Sequence, residues 1–248
     1  VVSCTHRKIT VNDNLLEEGL KMIAPGEADL KRIGKLLTAY VNEIELFNKA
    51  YGLVKVQDRR ELIVKHIFDS LAPLHIIRRL LDEMITSGGK AGTLSNTLHV
   101  ADVGSGAGLP GIPLAANMED VRFTLIERMG RRAGFLRNTL AVMGLTNADI
   151  EEADMEETKL RGCFDLIVFR AFRPLEPDIF KGLLRLLASG GILAAYKGRR
   201  ETVEEEMRLL LDSLRKDKTA SIAGWEILPV KVPFLEEKRH LLVIRPAN

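Results

Sequence analysis

Three glycines at alternate positions, Gly104, Gly106 and Gly108, stand between the apolar run Leu98–Val103 and Pro110. A strand, a glycine turn and a helix in that order present bare backbone N–H groups to a ligand, and proline at a helix start forfeits no hydrogen bond. Taken alone, such a turn serves a plain structural connection equally well. Gly106-Ala-Gly108-Leu-Pro-Gly111 also matches the dinucleotide pattern G-x-G-x-x-G, in which Gly111 would bring helix and strand together over a pyrophosphate. Glu127 closes the next strand, roughly twenty residues on, where a carboxylate accepts hydrogen bonds from both hydroxyls of a ribose. Two features weigh against a dinucleotide. The glycines begin at Gly104, ahead of the formal match and just after Asp102, and the chain ends in a hairpin pattern rather than a second nucleotide-binding half. An adenosine-type ligand without a pyrophosphate is therefore favoured.

The whole chain sets the frame for that turn. With 248 residues, 46% hydrophobic and 28% charged, it reads as one large globular domain, or a domain with a smaller appendage. No apolar run nears the roughly 18 residues of a membrane span. Residues 1–20 carry Asp13, Glu17 and Glu18 and no long apolar stretch, so no signal peptide is expected. Cys4 and Cys163 lie far apart in unlike settings, which disfavours a disulfide framework or zinc cluster and fits a reducing cytoplasm. The five histidines show no metal-ligand spacing, so no metal is expected. A net charge of +2 is too small to indicate nucleic acid by itself.

Before the glycine turn the pattern is helical. From Glu27 onward, Leu30, Ile33, Leu37, Tyr40, Ile44 and Phe47 form one stripe that Gly52 ends. Asp58-Arg-Arg-Glu61 has capping-box spacing ahead of Leu62, Ile63, Ile67 and Leu71, and Pro73 starts a third helix with Ile76, Ile77, Leu80, Met84 and Ile85 facing inward. Ser87–Gly92 reads as a linker, dividing a helical extension (1–94) from the remainder (95–248). Beyond it the period changes. Strands are expected at Val121–Glu127, Ala148–Glu152, Phe164–Phe169, Ile192–Tyr196, Trp225–Val232 and His240–Ile244, after the first at Leu98–Val103. Helices fall at Arg131–Met143, Pro177–Ala188 and along Val203, Met207, Leu210, Leu211 and Leu214, with Ser189-Gly190-Gly191 as a turn. Alternation of this kind implies an α/β fold with a doubly wound parallel sheet, and the short Pro233–Arg239 connection makes the final pair an antiparallel hairpin.

Asp102–Leu114, F-T-L-I-E, F-D-L-I-V-F-R-A-F and the terminal R-H-L-L-V-I resemble the bacterial small-subunit ribosomal RNA guanine-N7 methyltransferases, also known as glucose-inhibited division protein B. Phe47–Lys49 and Lys65–Leu71 are similar to that family's helical signature, and the resemblance runs from about residue 30 to the end. It implies a class I S-adenosylmethionine-dependent methyltransferase, Rossmann-like, with a seven-stranded, mostly parallel sheet, an antiparallel last strand and a helical N-terminal extension. The donor would be S-adenosylmethionine and the acceptor 16S ribosomal RNA or the small ribosomal subunit. By the same resemblance Gly104, Ser105, Gly106 and Leu109 would contact the donor, with Gly104 and Leu109 on its methionine part. Glu127 would hold the ribose, and Met155 and Glu156 would border the adenine. Arg170 would sit where donor and base meet, and Lys197 would face the RNA, making these two the catalytic candidates. The chain departs from the family pattern at Asp154, where arginine is usual, and at Tyr51–Val54, and residues 1–26 match no named feature of that pattern.

Guanine N7 carries a lone pair and no proton, so methylation there needs no general base. Consistently, Arg170-Ala-Phe-Arg-Pro174 replaces the Asn/Asp-Pro-Pro-aromatic motif of exocyclic-amine methylation, and Cys163 precedes its strand, away from a nucleophile's place. Phe172 is either a stacking platform for a flipped guanine or a core side chain. Basic residues gather at strand ends: Arg170, Arg173, Lys197, Arg199, Arg200, Lys238 and Arg239, with Lys65 and His66 from the helices. Of these, Lys65, His66, Arg173, Lys197 and Arg239 are the RNA-binding candidates, and a solvated surface is the plainer account of Arg199 and Arg200. Methylation of another RNA or a protein, a nicotinamide-dependent oxidoreductase and a non-catalytic ribosome-binding factor are the competing readings. No apolar stripe is left over once the helices pack, so a monomer is expected.

Overall fold

The computed structural model describes residues 11–24, 29–86, 97–217 and 220–247. The Ser87–Gly92 linker, the division after residue 94 and Cys4 lie outside the described residues. Seven strands form one sheet: β1 (His99–Val103), β2 (Arg122–Ile126), β3 (Ala148–Glu151), β4 (Phe164–Arg170), β5 (Leu187–Lys197), β6 (Ile222–Val230) and β7 (Arg239–Pro246). Their order is β3-β2-β1-β4-β5-β7-β6. Pairing is parallel from β3 through β5, and β7 runs antiparallel to both its neighbours. The doubly wound sheet and terminal hairpin are as expected, with the glycine turn where the strand order reverses.

Successive residues of a strand face opposite sides. Val100, Phe123, Leu166 and Val243 therefore join one core, while Ala101, Ile167, Leu193 and Leu242 join the other. The first core is covered by the helices Gly111–Asn117 and Gly130–Met143 and by the whole N-terminal helical set. The second is covered by Pro177–Leu186 and Arg200–Asp217, through Phe180, Leu183, Met207 and Leu210.

The N-terminal set comprises Val11–Ile23, Leu30–Tyr51, a run from Arg59 to Leu71, and Leu74–Thr86. The first of these was not among the expected helices. Its Leu15, Leu16 and Leu20 are buried, and a Cβ on Gly19 would lie 2.1 Å from the Phe68 ring, so glycine permits that approach. The stripe of Leu30–Tyr51 stops at Gly52 as expected, in the left-handed conformation (φ 59°) that glycine adopts without strain. Asp58 caps the next helix by accepting the Glu61 N–H, while Glu61 accepts the N–H of Gln57. Within that helix Ile63–Phe68 is wound as a π-helix, a rare local widening often found at functional sites.

Three expectations are corrected. The helix from Pro177 ends at Leu186, and the Ser189-Gly190-Gly191 turn is part of β5, because Leu187 already pairs with Phe164 before a bulge resumes the ladder at Ile192. Ile85 is exposed: it lies beyond the arc of Ile76, Ile77, Leu80 and Leu81 that meets the core. β6 begins earlier than expected, at Ile222, and its Trp225, although on the same face as the buried Ile227, is exposed on this edge strand.

Candidate active site

The carboxyl end of β1 is built around Asp102. Its side chain is fully buried, and Oδ2 accepts the Gly111 N–H at 2.8 Å. A Cβ on Gly111 would lie 2.7 Å from that oxygen, so this glycine brings helix and strand together over a carboxylate rather than a phosphate. Burial pushes the Asp102 carboxyl up to about 7, against the Gly111 hydrogen bond and the positive charge of Arg170. The Ser105 hydroxyl donates to the Asp102 carbonyl at 2.8 Å.

Glu127, at the end of β2, is nearly buried and braces the turn from the neighbouring strand. One carboxylate oxygen accepts the Gly106 N–H at 2.9 Å and the other the Met129 N–H at 2.8 Å. Each oxygen keeps a further acceptor position. Gly104, Glu127, Met129, Asp154, Met155 and Phe172 line a cleft of about 250 Å³, with Arg128 and Arg173 at its edges. The residues present fit a nucleoside: a carboxylate with two spare acceptor positions beside an apolar rim.

The expected donor residues divide. Gly104, Glu127 and Met155 line this cleft, although Met155 turns its side chain onto Gly182 and its carbonyl accepts from Arg185 at 2.9 Å. Glu156 is exposed and accepts from Arg173 at 2.8 Å. Ser105 and Leu109 are buried and outside the lining, and Gly106 spends its N–H on Glu127. Asp154, in the place of the family's usual arginine, accepts from Arg173 at 3.2 Å.

Beyond the ends of β4 and β5 lies a larger cavity of about 880 Å³. Lys65, His66, Arg170, Arg173, Lys197 and Arg239 all line it, so the fold gathers every expected RNA residue and both catalytic candidates. The two cavities share Ala171, Phe172 and Arg173. Ala171 has φ 49°, a left-handed conformation uncommon for a residue with a side chain. The Phe172 ring lies against Gly104, where a Cβ would be 2.2 Å away, and carries the Arg173 guanidinium 5.2 Å from its centre. Phe172 is therefore a partition between the cavities in this conformation, not a free stacking face.

The cations of the larger cavity are held by acids. Asp69, almost buried, accepts Arg170 on one oxygen at 2.9 Å and Arg239 on the other at 3.0 Å. Arg170 also donates to His66 Nδ1 at 3.1 Å, so that nitrogen carries no proton. Burial, and then the charge of Arg170, lowers His66 to about 4. Lys65 pairs with Glu61 at 2.7 Å, and Lys197 with Glu206 at 2.6 Å. Arg199 and Lys238 are exposed with no ion-pair partner among the described residues.

Sequence reading missed Glu206, Tyr40 and Tyr196 as parts of this site. Tyr40 donates to the Ala107 carbonyl and Tyr196 to that of Ser70, each at 2.8 Å, which ties the helical region to the glycine turn and the sheet to the helical turn that follows the π-helical segment. No local motif marks these residues; the acid four residues after Arg200-Glu-Thr202 is one of several in a charged helix. Among the described residues no group of three metal-binding side chains occurs, and no helix is long and apolar enough to cross a membrane.

Comparison with known proteins bears on this geometry. The family model described as rRNA small subunit methyltransferase G matches residues 33–225. A protein of Treponema denticola named ribosomal RNA small subunit methyltransferase G is 36% identical, over 96% of each chain. One of Cellvibrio japonicus with the same name is 34% identical, over 90% of each chain. Among solved structures, the METTL16 MTase domain superposes with a TM-score of 0.50 at 13% identity, covering 86% of this chain and 81% of that one, a likeness of fold.

Proposed function

Because this chain belongs to the rRNA small subunit methyltransferase G family, we propose that it transfers the methyl group of S-adenosylmethionine to N7 of a guanine in 16S ribosomal RNA. Its fold is that of the class I S-adenosylmethionine-dependent methyltransferases. Family membership sets aside the oxidoreductase and the non-catalytic readings. The observation that carries the proposal within the structure is the junction of a nucleoside-sized cleft with a larger cavity lined by cations, at Ala171-Phe172-Arg173.

When bound, S-adenosylmethionine supplies a sulfonium methyl that the N7 lone pair takes directly, leaving S-adenosylhomocysteine and a methylated base with no proton to remove. The work of the protein is alignment and electrostatics. Glu127 offers its two spare acceptor positions to the ribose hydroxyls. The Met155-Glu156 segment borders the adenine, and Gly104 lines the cleft for the methionine part. Arg170, locked by Asp69 and His66, presents a fixed positive charge between cleft and cavity, and Lys197 faces the base. Lys65, His66, Arg173 and Arg239 surround the entering RNA, with Arg199 and Lys238 free for its phosphates. The described helices between Val11 and Thr86 serve as a buttress for the donor domain that follows them. We place the enzyme in the cytoplasm, as a monomer that needs no metal and acts on the RNA of the small subunit.

Labelled methyl transfer to small subunits and to naked 16S RNA, followed by mapping of the product, tests the proposal. 7-Methylguanosine at one position is expected, and a modified exocyclic amine or ribose would refute it. S-adenosylmethionine and S-adenosylhomocysteine, but not NAD, should raise the melting temperature.

A further inference from the structure

Glu206, an acid of the acceptor cavity, holds both Lys197 and the backbone of Leu175, just beyond the Ala171-Phe172-Arg173 partition. Its Oε1 accepts Lys197 Nζ at 2.8 Å and the Leu175 N–H at 2.7 Å, while Oε2 accepts Lys197 alone at 2.6 Å. Oε1 is thereby saturated, and Oε2 retains one acceptor position. Both side chains line the cavity and are largely shielded, at 17% exposure for Lys197 and 19% for Glu206. An ammonium donor and a carboxylate acceptor thus stand side by side, in contact, at the end of β5.

We propose that the Lys197–Glu206 pair selects guanine over adenine at the methylation site, Lys197 donating to O6 and Glu206 Oε2 accepting from N1–H. The proposal rests on the guanine-N7 reading above. O6 adjoins N7 on the purine edge and N1 adjoins O6, so a base that turns N7 toward the cleft presents an acceptor and then a donor. That order complements the pair. Adenine turned the same way presents its amino group to the ammonium and the bare N1 to the carboxylate, two repulsive contacts. Reading of splayed-out bases along this edge is the general mode of single-stranded RNA recognition. Arg170 cannot substitute for the pair, because a guanidinium has no acceptor for N1–H and this one is already held by Asp69 and His66.

The test uses small subunits whose mapped target guanine is kept or replaced by adenine, with kcat/KM for labelled methyl transfer measured on each. The wild-type enzyme is expected to prefer guanine by at least about 100-fold, the product of two contacts worth on the order of 10-fold or more each. Glu206→Gln keeps an oxygen for the Leu175 N–H and turns an amide N–H toward adenine N1, so the preference should fall by at least about 10-fold. Lys197→Met should lower it similarly by removing the O6 donor. A preference within two-fold of wild type in both variants, or no methylation of adenine by either, overturns the proposal, whatever happens to turnover on guanine. A pair that merely holds the Leu175 backbone would reduce turnover on both bases alike. Retained stabilisation by S-adenosylmethionine shows that each variant is folded and loads donor. Absence of 7-methylguanosine in the wild-type product would instead overturn the functional reading, and with it this proposal, whereas 7-methylguanosine with unchanged base preference in the variants overturns the proposal alone.

Discussion

Replacing Asp69 by asparagine tests the arrangement on which the acceptor cavity depends. The carboxylate is buried and bears two guanidinium groups, Arg170 at 2.9 Å and Arg239 at 3.0 Å, whose side chains are 14% and 27% exposed. Removing one partner of a buried ion pair costs about 3–5 kcal/mol, since the remaining charge is left uncompensated. Arg239 keeps some access to water and the asparagine carbonyl still accepts one hydrogen bond, so the lower end, about 3 kcal/mol, is expected. For a chain of this size that lowers the melting temperature by about 6–12 °C, measurable by circular dichroism and checked by denaturant titration. Arg239→Gln supplies the control. Its cost in wild type should exceed its cost beside Asp69→Asn by at least about 1 kcal/mol, because in the second background there is no carboxylate to lose. Equal costs in both backgrounds, or an Asp69→Asn change below about 1 kcal/mol, would refute the reasoning that this pairing anchors Arg170.

Further outcomes follow from the donor side. Gly104→Ala and Gly52→Ala both place a side chain at positive φ, a cost of about 1–2 kcal/mol each. Only Gly104→Ala should also abolish stabilisation by S-adenosylmethionine in a thermal-shift assay, because its Cβ meets Phe172 whereas the space around Gly52 is open. Glu127→Gln turns an amide N–H against the N–H of Gly106 or Met129, and should cost about 1–3 kcal/mol while weakening donor binding measured by calorimetry. The pH dependence of unfolding should reveal two opposed groups. Asp102 sits at about 7 when folded, so the folded state keeps a proton that the unfolded chain releases, and that stability is lost as pH rises from about 4 to 7. His66 sits at about 4, so its contribution is present above about 6.5 and is lost as pH falls toward 4. The two offset one another in wild type. Asp102→Asn should therefore gain stability relative to wild type as pH rises through this window, and His66→Asn should lose it; parallel curves for all three proteins would contradict both assignments.

Much of the donor site is readable from local order. A buried β1 followed by a glycine turn needs only short-range sterics, and Glu127 ends the next parallel strand, so the topology brings it beside the turn. The residues around the acceptor are different. Asp69 and Arg239 are far apart in sequence and meet only because the helical turn after the π-helical segment packs beside the end of β4 and the start of β7. Residue type identified Arg170 and Lys197 as cations at strand ends, yet their pairing with Asp69 and Glu206 changes what they can do: one is a fixed charge, the other half of a donor–acceptor pair. Phe172 shows the same limit. An aromatic after an arginine suits stacking, and only the close approach of Gly104 reveals that the ring divides two cavities.

Periodicity and turn chemistry by themselves determined the alternating sheet, the terminal hairpin, the helices before the sheet and the place of the cleft beside the glycine turn, because each rests on contacts between residues near in sequence or on the register of parallel strands. The tertiary structure alone decided which acid holds which base, where the helix Val11–Ile23 docks, and that Ser105 and Leu109 are buried and Gly106 bonds to Glu127 while Gly104 lines the cleft. Side-chain pairing across long loops depends on the packing of whole elements, and nothing in the local order of residues encodes it.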